Sequence, residues 1–357
     1  MKIGILTYHF ANNFGAMIQA YALRKAIQKI ASQDDIVEII NYVPASYRDN
    51  EADILTSQYV LQKNKNMRFL MKECGIVSKV STDIYRLQKY DIYIVGSDQV
   101  WNPNLPVFEE TSEYFLDFVQ KDKIKAAYAA SIGEKIDESF NIDLFKKNLP
   151  QFNYLSVREQ SYIPFVEKMA GKRCYGVLDP SFLLLKNDYC TLINKECNNK
   201  ICENDYILAI SYNLNSKRRM YDFANRYSIK NKLEVHSMEK EVSPYFFLRE
   251  EKSIYYYGIE EKLNEVRNAK MVFTDSFHFM VFSIIMHVPF YVMLTKRVSR
   301  IIDLLNYLKL ESRIITDITK LNDLNENIDF EEVDKLLETK RKFSLEYLKN
   351  IVYKGEE

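Results

Sequence analysis

The sequence predicts an α/β protein built from two doubly wound, Rossmann-like domains. Three observations carry this reading: near-continuous apolar runs of strand length, amphipathic helical segments between them, and a polar break near the middle after which the alternation starts again. A strand buried on both faces of a parallel sheet needs an apolar residue at almost every position, and those runs supply it.

The first run, 2–8, passes through a polar turn at 9–14 into a helix from 15 to about 31, where Ile18, Ala22, Ala26 and Ile30 recur on one face. A second strand is expected at 36–43, between Asp34-Asp35 and Pro44, with others at 92–95, 126–132, 154–157 and 175–178. The charged segment 46–89 reads as helical insertions. Within it Met67, Leu70, Met71 and Ile76 stand among basic residues; packing onto the sheet is expected, a membrane-surface helix being the alternative. Polar residues at 186–188 and 194–204 mark a linker over 186–205. The second alternation places strands at 206–212, 233–237, 271–274 and 289–294, and helices at 216–227, 260–268 and 300–308. Domains are therefore expected at 1–185 and 206–329, followed by an amphipathic helical tail over 330–357. No internal repeat is visible.

Composition narrows the function. Apolar residues are 47% of the 357 and charged residues 27%, a folded composition, and 49 cationic side chains balance 49 anionic ones. That balance excludes the basic footprint of a nucleic-acid binder. Five cysteines (74, 174, 190, 197 and 202) are an odd number. No histidine pair stands near Cys197 and Cys202 to complete a zinc site, so free thiols in a reducing cytoplasm are expected, with no metal. The N-terminus enters a strand directly, without a signal-peptide pattern. The uncharged stretch 276–295 is interrupted by Pro289 and reads as helix, turn and strand rather than a membrane span.

Candidate site residues sit where predicted strands end, the edge at which open α/β sheets bind ligands. Thr274-Asp275-Ser276-Phe277-His278 follows the run 271–273 and opens a helix, whose N-terminus favours an anion. His278 is a candidate acid–base group there; a core histidine bonded to a carbonyl is the equal alternative. Asn13 and Gly15, after the first strand, either cap the helix or let a ligand approach closely. That turn lacks the three glycines of a dinucleotide fingerprint, which disfavours NAD. Asp98 and Trp101, in Gly96-Ser97-Asp98-Gln99-Val100-Trp101-Asn102, suggest a sugar platform, with an Asp-led turn as the alternative. Arg158 and Arg300 are candidate anion clamps, because a guanidinium fork matches phosphate and carboxylate; Arg158 alternatively pairs with Glu159 or a neighbouring element.

Taken together, four blocks resemble the polysaccharide pyruvyl transferase family: Asn12-Asn13-Phe14-Gly15-Ala16-Met17-Ile18-Gln19-Ala20-Tyr21-Ala22-Leu23, Gly96 to Asn102, Ser156-Val157-Arg158-Glu159 with Leu178-Asp179-Pro180-Ser181, and Thr274 to His278. The resemblance implies a GT-B fold with a cleft between two domains. It also implies transfer of a pyruvyl group from phosphoenolpyruvate to sugar hydroxyls of a bacterial capsule, exopolysaccharide or lipid-linked precursor, with no further cofactor. The roles it suggests are His278 as catalytic group, Arg158, Ser276 and Arg300 on the donor, and Asn13, Gly15, Asp98 and Trp101 on the acceptor. It suggests assembly on the cytoplasmic face, with peripheral membrane contact. One residue departs from the pattern: Phe279 stands where glycine is usual, and is expected to narrow the donor pocket. A nucleotide-sugar glycosyltransferase, for which Glu239, Lys240 and Glu241 are loose candidates, and a non-catalytic carbohydrate-binding relative are the alternatives.

Overall fold

The computed structural model describes residues 1–45, 47, 57–76, 79–87, 89–102, 105, 112–133, 136, 142–196, 205–238, 251–295, 299–316 and 319–353. The chain divides into two compact units. Unit 1 comprises Met1–Asp53, Met67–Leu184 and Leu337–Glu357, and unit 2 comprises Ile54–Asn66 and Leu185–Leu336.

The described elements of the first stretch are β1 (Lys2–Leu6), α1 (Phe14–Ile30), β2 (Ile36–Ile39), α2 (Ser57–Lys72), β3 (Ile92–Val95), β4 (Ile124–Ala127), α3 (Ile142–Asn148), β5 (Ser156–Val157), α4 (Ile163–Ala170) and β6 (Tyr175–Gly176). The strands of unit 1 are parallel in the order β2-β1-β3-β4, with Ile3 opposite Val37 and Ile5 opposite Ile94. Bridges from Ala126 to Tyr154 and from Ala130 to Val157 lead on to the β5–β6 pair. Both faces are covered, so Ile3, Ile5, Ile92, Ile94 and Val95 have no exposed surface. A C-terminal helix, introduced below as the last of unit 2's series, returns to this unit: its Tyr347 hydroxyl donates to Ala127 O at 2.9 Å, and its Ser344 hydroxyl accepts from Leu178 N at 3.0 Å.

Unit 2 carries α5 (Lys186–Glu196), β7 (Tyr206–Ile210), α6 (Leu214–Asn231), β8 (Glu234–Ser237), β9 (Glu251–Ser253), α7 (Ile259–Asn268), β10 (Met271–Thr274), α8 (Phe277–Met286), β11 (Phe290–Met293), α9 (Ser299–Leu308) and β12 (Ile314–Ile315). The helix α10 (Phe330–Tyr353) follows, its first residues belonging to this unit and the rest to unit 1. The six parallel strands run β12-β11-β10-β7-β8-β9. Ile207, Ala209, Met271 and Phe273 pack with Met220, Tyr221 and Ala224 of α6 in its core. Helix α8 is apolar all round, and every residue from Phe277 to Met286 is buried. No helix among the described residues is long and apolar enough to cross a membrane.

The segment expected to be a linker is largely the helix α5. Tyr189, Leu192 and Ile193 bury one face of it, and the Tyr189 ring meets Phe282 edge-on at 5.0 Å. The short strands β9 and β12 were not expected. Several strands end before their expected runs, among them β1 at Leu6, β2 at Ile39, β4 at Ala127, β6 at Gly176 and β7 at Ile210.

Candidate functional site

Each unit has a switch point, where the chain leaves two neighbouring strands in opposite directions and the loops open a crevice at their carboxyl ends. In unit 1 it lies between β1 and β3. Buried Gln19 of α1 stitches it: its amide donates to Thr7 Oγ1 at 2.8 Å and its carbonyl accepts from Ser97 N at 3.2 Å, while Thr7 Oγ1 donates to Ser97 O at 3.1 Å. Gly96 at the end of β3 has φ +113°, and a Cβ there would fall 2.2 Å from Tyr128 O, so only glycine fits. Asp98 follows in the left-handed region at φ 71°, its carbonyl accepting from Val100 N and Ser131 N.

Strand ends bring Asp98, Ser131, Arg158, Glu159 and Asp179 together. Arg158 Nη1 lies 2.9 Å from Asp179 Oδ2, Nε 3.4 Å from Glu159 Oε1 and Nη2 3.8 Å from Asp98 Oδ1. Ser131 donates to Glu159 Oε1 at 2.7 Å and Ser181 N to Asp179 Oδ1 at 3.0 Å. Burial works against the guanidinium's charge, but Glu159, Asp179 and Asp98 outweigh it and raise the pKa. One cation thus faces three carboxylates. The Asp98 side chain is 16% exposed against 0% for Glu159 and 1% for Asp179, so it is the carboxylate that a ligand reaches.

This geometry revises several expectations. Trp101 is not a sugar platform: it is 1% exposed, its Nε1 donates to Tyr114 O at 3.1 Å, and its ring stacks on Phe115 with Phe145 and Phe152 edge-on. An indole enclosed by three phenylalanines has no face to offer. Asn13 caps α1, its Oδ1 accepting from Gly15 N at 2.9 Å and Ala16 N at 3.2 Å, so the Gly15 amide is already engaged. Arg158 is an organiser of carboxylates here; a donor anion would have to displace one of them.

In unit 2 the switch point lies between β7 and β10, and Asp275 spans it. Its carboxylate accepts from Ser211 Oγ at 2.5 Å, Tyr212 N at 2.9 Å and Asn213 N at 3.1 Å. The loop after β7 is thereby fastened to the turn that starts α8. Ser276 is the N-cap residue of α8, its hydroxyl makes no capping bond, and its N–H donates to Thr274 Oγ1 at 2.9 Å. His278, 7% exposed, stands in the first turn with its ring edge-on to Phe277 at 5.2 Å. The Arg300 guanidinium, from the start of α9, lies 5.4 Å from the Phe277 ring centroid. Ser276, His278 and Arg300 are therefore gathered at one helix N-terminus, where an anion is favoured. Phe279 is fully buried, so its ring adds nothing to the surface of that turn.

Two residues here were missed from sequence. Asp275 was quoted within the motif without a role, although a carboxylate directly after a buried strand is a signal of loop fastening. Tyr212 is 54% exposed at the carboxyl end of β7. Tyr85 and Tyr353 are the other tyrosines more than half exposed among the described residues, and neither adjoins a strand end. Glu239, Lys240 and Glu241 lie outside the described residues, as do Cys197 and Cys202. Cys74, Cys174 and Cys190 are free thiols, and no group of three metal-ligating side chains occurs among the described residues.

The fold is GT-B, and its solved neighbours say so. A putative UDP-N-acetylglucosamine 2-epimerase from Listeria monocytogenes shares 12% identity over 98% of this chain and 90% of that one, with a TM-score of 0.52. The Neisseria meningitidis UDP-GlcNAc 2-epimerase bound to UDP-GlcNAc gives 8%, 99%, 98% and 0.51. Arabidopsis thaliana UGT89C1 complexed with UDP gives 9%, 99%, 99% and 0.54. At these identities the likeness concerns fold alone. No curated protein matches the sequence. Residues 13–297 match the model of the polysaccharide pyruvyl transferase family, a range that takes in the four blocks apart from Asn12. The chain belongs to that family.

Proposed function

We propose that this protein transfers a pyruvyl group from phosphoenolpyruvate to two hydroxyls of a sugar in a bacterial surface polysaccharide or its lipid-linked precursor, forming a ketal, on the cytoplasmic side. The observation that carries this is the meeting of His278, Ser276 and Arg300 at the N-terminus of α8. A guanidinium and a helix N-terminus suit the phosphate and carboxylate of the donor.

The chemistry then needs proton traffic. Protonation of the donor's methylene carbon, with His278 as acid, turns it into a methyl group and leaves positive charge on C2. A sugar hydroxyl oxygen bonds to C2 and gives up its proton to a base; the His278 imidazole, having given its proton to the methylene carbon, serves in turn as that base. The C2–O bond to phosphate breaks, a second hydroxyl closes the ketal, and its proton leaves with the departing phosphate. Arg300 offsets the charge building on that leaving group. Tyr212, exposed at the carboxyl end of β7, suits stacking with sugar.

Calorimetric titration with phosphoenolpyruvate, beside a nucleotide-sugar panel, tests this reading. Saturable phosphoenolpyruvate binding should weaken about tenfold or more in Arg300→Ala, the worth of a charge-assisted contact. His278→Ala should keep that binding while turnover falls by roughly 10²–10⁴. Binding of a nucleotide sugar in place of phosphoenolpyruvate would refute the proposal.

A further inference from the structure

Tyrosines occupy two separate turns at one edge of the sheet of unit 2. Strands β7, β8 and β9 are parallel, so the residues that follow them emerge on the same side. Tyr212 comes just after β7, and Tyr255, Tyr256 and Tyr257 come after β9, in the turn that leads into α7. Tyr212 is 54% exposed; Tyr255 and Tyr256 are half-buried, with their rings edge-on at 4.9 Å. Tyr255 stands close enough to act on the Tyr212 hydroxyl.

Both turns are fastened from behind by buried polar side chains. The Asp275 carboxylate accepts from Tyr212 N at 2.9 Å. Gln62, 3% exposed, donates from Nε2 to Tyr255 O at 2.7 Å and to Tyr257 O at 3.2 Å. Beyond them Gly258 N donates to Glu261 Oε2 at 2.8 Å, and Lys65 Nζ lies 2.7 Å from both oxygens of that carboxylate. A surface turn can satisfy its carbonyls with water, so a buried amide is not needed for that. What these bonds add is a fixed place for the rings, and rings fixed in advance offer contact area at low entropic cost.

We infer that Tyr212, Tyr255 and Tyr256 form a shelf on which sugar rings of the glycan acceptor stack. A tyrosine joins an apolar ring face to a polar tip, and a pyranose likewise joins a face of C–H bonds to a rim of hydroxyls. Two strand spacings separate β7 from β9, about 10 Å, so the shelf suits more than one sugar ring. The inference rests on the sugar acceptor proposed above and is independent of the donor.

A microbial glycan array probed with the full chain tests it, with phosphoenolpyruvate calorimetry on the wild type alongside. The protein should bind a subset of the glycans, since their multivalent display makes weak stacking visible. Tyr212→Ala and Tyr255→Ala should each lower apparent affinity by about three- to tenfold, the worth of one aromatic contact. Tyr212→Phe and Tyr255→Phe should retain most of the binding, because the ring face remains. Tyr212 is exposed, so Tyr212→Ala should melt like the wild type, which separates lost binding from misfolding. A wild-type protein that binds no glycan would overturn the inference, as would alanine variants that bind as well as it does. Competition by free uridine would also overturn it, by assigning the shelf to a nucleoside. Glycan binding without phosphoenolpyruvate binding would leave the shelf standing and remove pyruvyl transfer; phosphoenolpyruvate binding with a silent array would do the reverse.

Discussion

Replacing Arg158 by alanine should unfold unit 1 early, and the size of the effect follows from the distances around the guanidinium. At an effective dielectric constant of about 20, contacts of 2.9, 3.4 and 3.8 Å correspond to roughly 6, 5 and 4 kcal/mol of gross attraction. Desolvation and repulsion among Asp179, Glu159 and Asp98 cancel most of this. Removing one member of a buried ion pair instead typically costs about 3–5 kcal/mol, since its partners keep their uncompensated charge. Trp101, the sole tryptophan and buried in unit 1, reports that unit's unfolding by its fluorescence. With a urea slope of about 2–3 kcal/mol/M, the midpoint should fall by about 1.5 M. The deficit should shrink as pH falls, because protonation removes the surplus negative charge. Arg158→Lys, which keeps charge but loses the fork, should fall between. A midpoint within about 0.3 M of wild type near neutral pH, outside extrapolation error, would refute the cage as described.

Two further outcomes can be checked in unit 2. His236 Nδ1 lies 2.7 Å from Glu265 Oε2, with Lys252 at 3.4 Å from the other oxygen and Glu234 at 3.6 Å from His236 Nε2; burial raises the Glu265 pKa, but His236 and Lys252 outweigh it and leave it lowered. A lowered carboxylate contributes stability above its ordinary pKa and loses it as pH falls through the folded value. Glu265→Gln should therefore cost about 3 kcal/mol near neutral pH, by urea unfolding followed with circular dichroism, and little near pH ~3; a gap that widens on acidification contradicts this sign. Asp275→Ala should cost about 2 kcal/mol or more by taking the carboxylate acceptor away from the Tyr212 and Asn213 N–H groups. It should also weaken phosphoenolpyruvate binding, and calorimetry showing full affinity would separate the loop fastening from the α8 N-terminus.

Strands β3, β7 and β11 were legible because each is an unbroken apolar run, and the break at Asp275 marked where β10 ends. Helix α5 was hidden by its polar spacing: three buried side chains at 189, 192 and 193 stand among Lys, Asn, Asp and Thr. The strands β9 and β12, three and two residues long, are held by neighbours rather than by pattern. The site was half legible. Arg300 packs on the Phe277 ring, next to His278 in the first turn of α8. Trp101 and Arg158 misled for a shared reason: what encloses them is distant in sequence. Phe145 and Phe152 close over the indole, and Asp179 reaches the guanidinium from the end of another strand.

The two units share one order of winding. Leave out the edge strand β9, and β8-β7-β10-β11-β12 follows the same winding as β2-β1-β3-β4-β5. One half of the chain is thus a topological echo of the other with a strand appended, although no repeat survives in the letters. The turn holding Gly96 and Asp98 and the turn holding Asp275 and His278 occupy the same address in their respective halves. At that address one half holds a carboxylate before a cage of charges, and the other an imidazole at a helix mouth. One winding thus presents two unlike sets of side chains at equivalent turns.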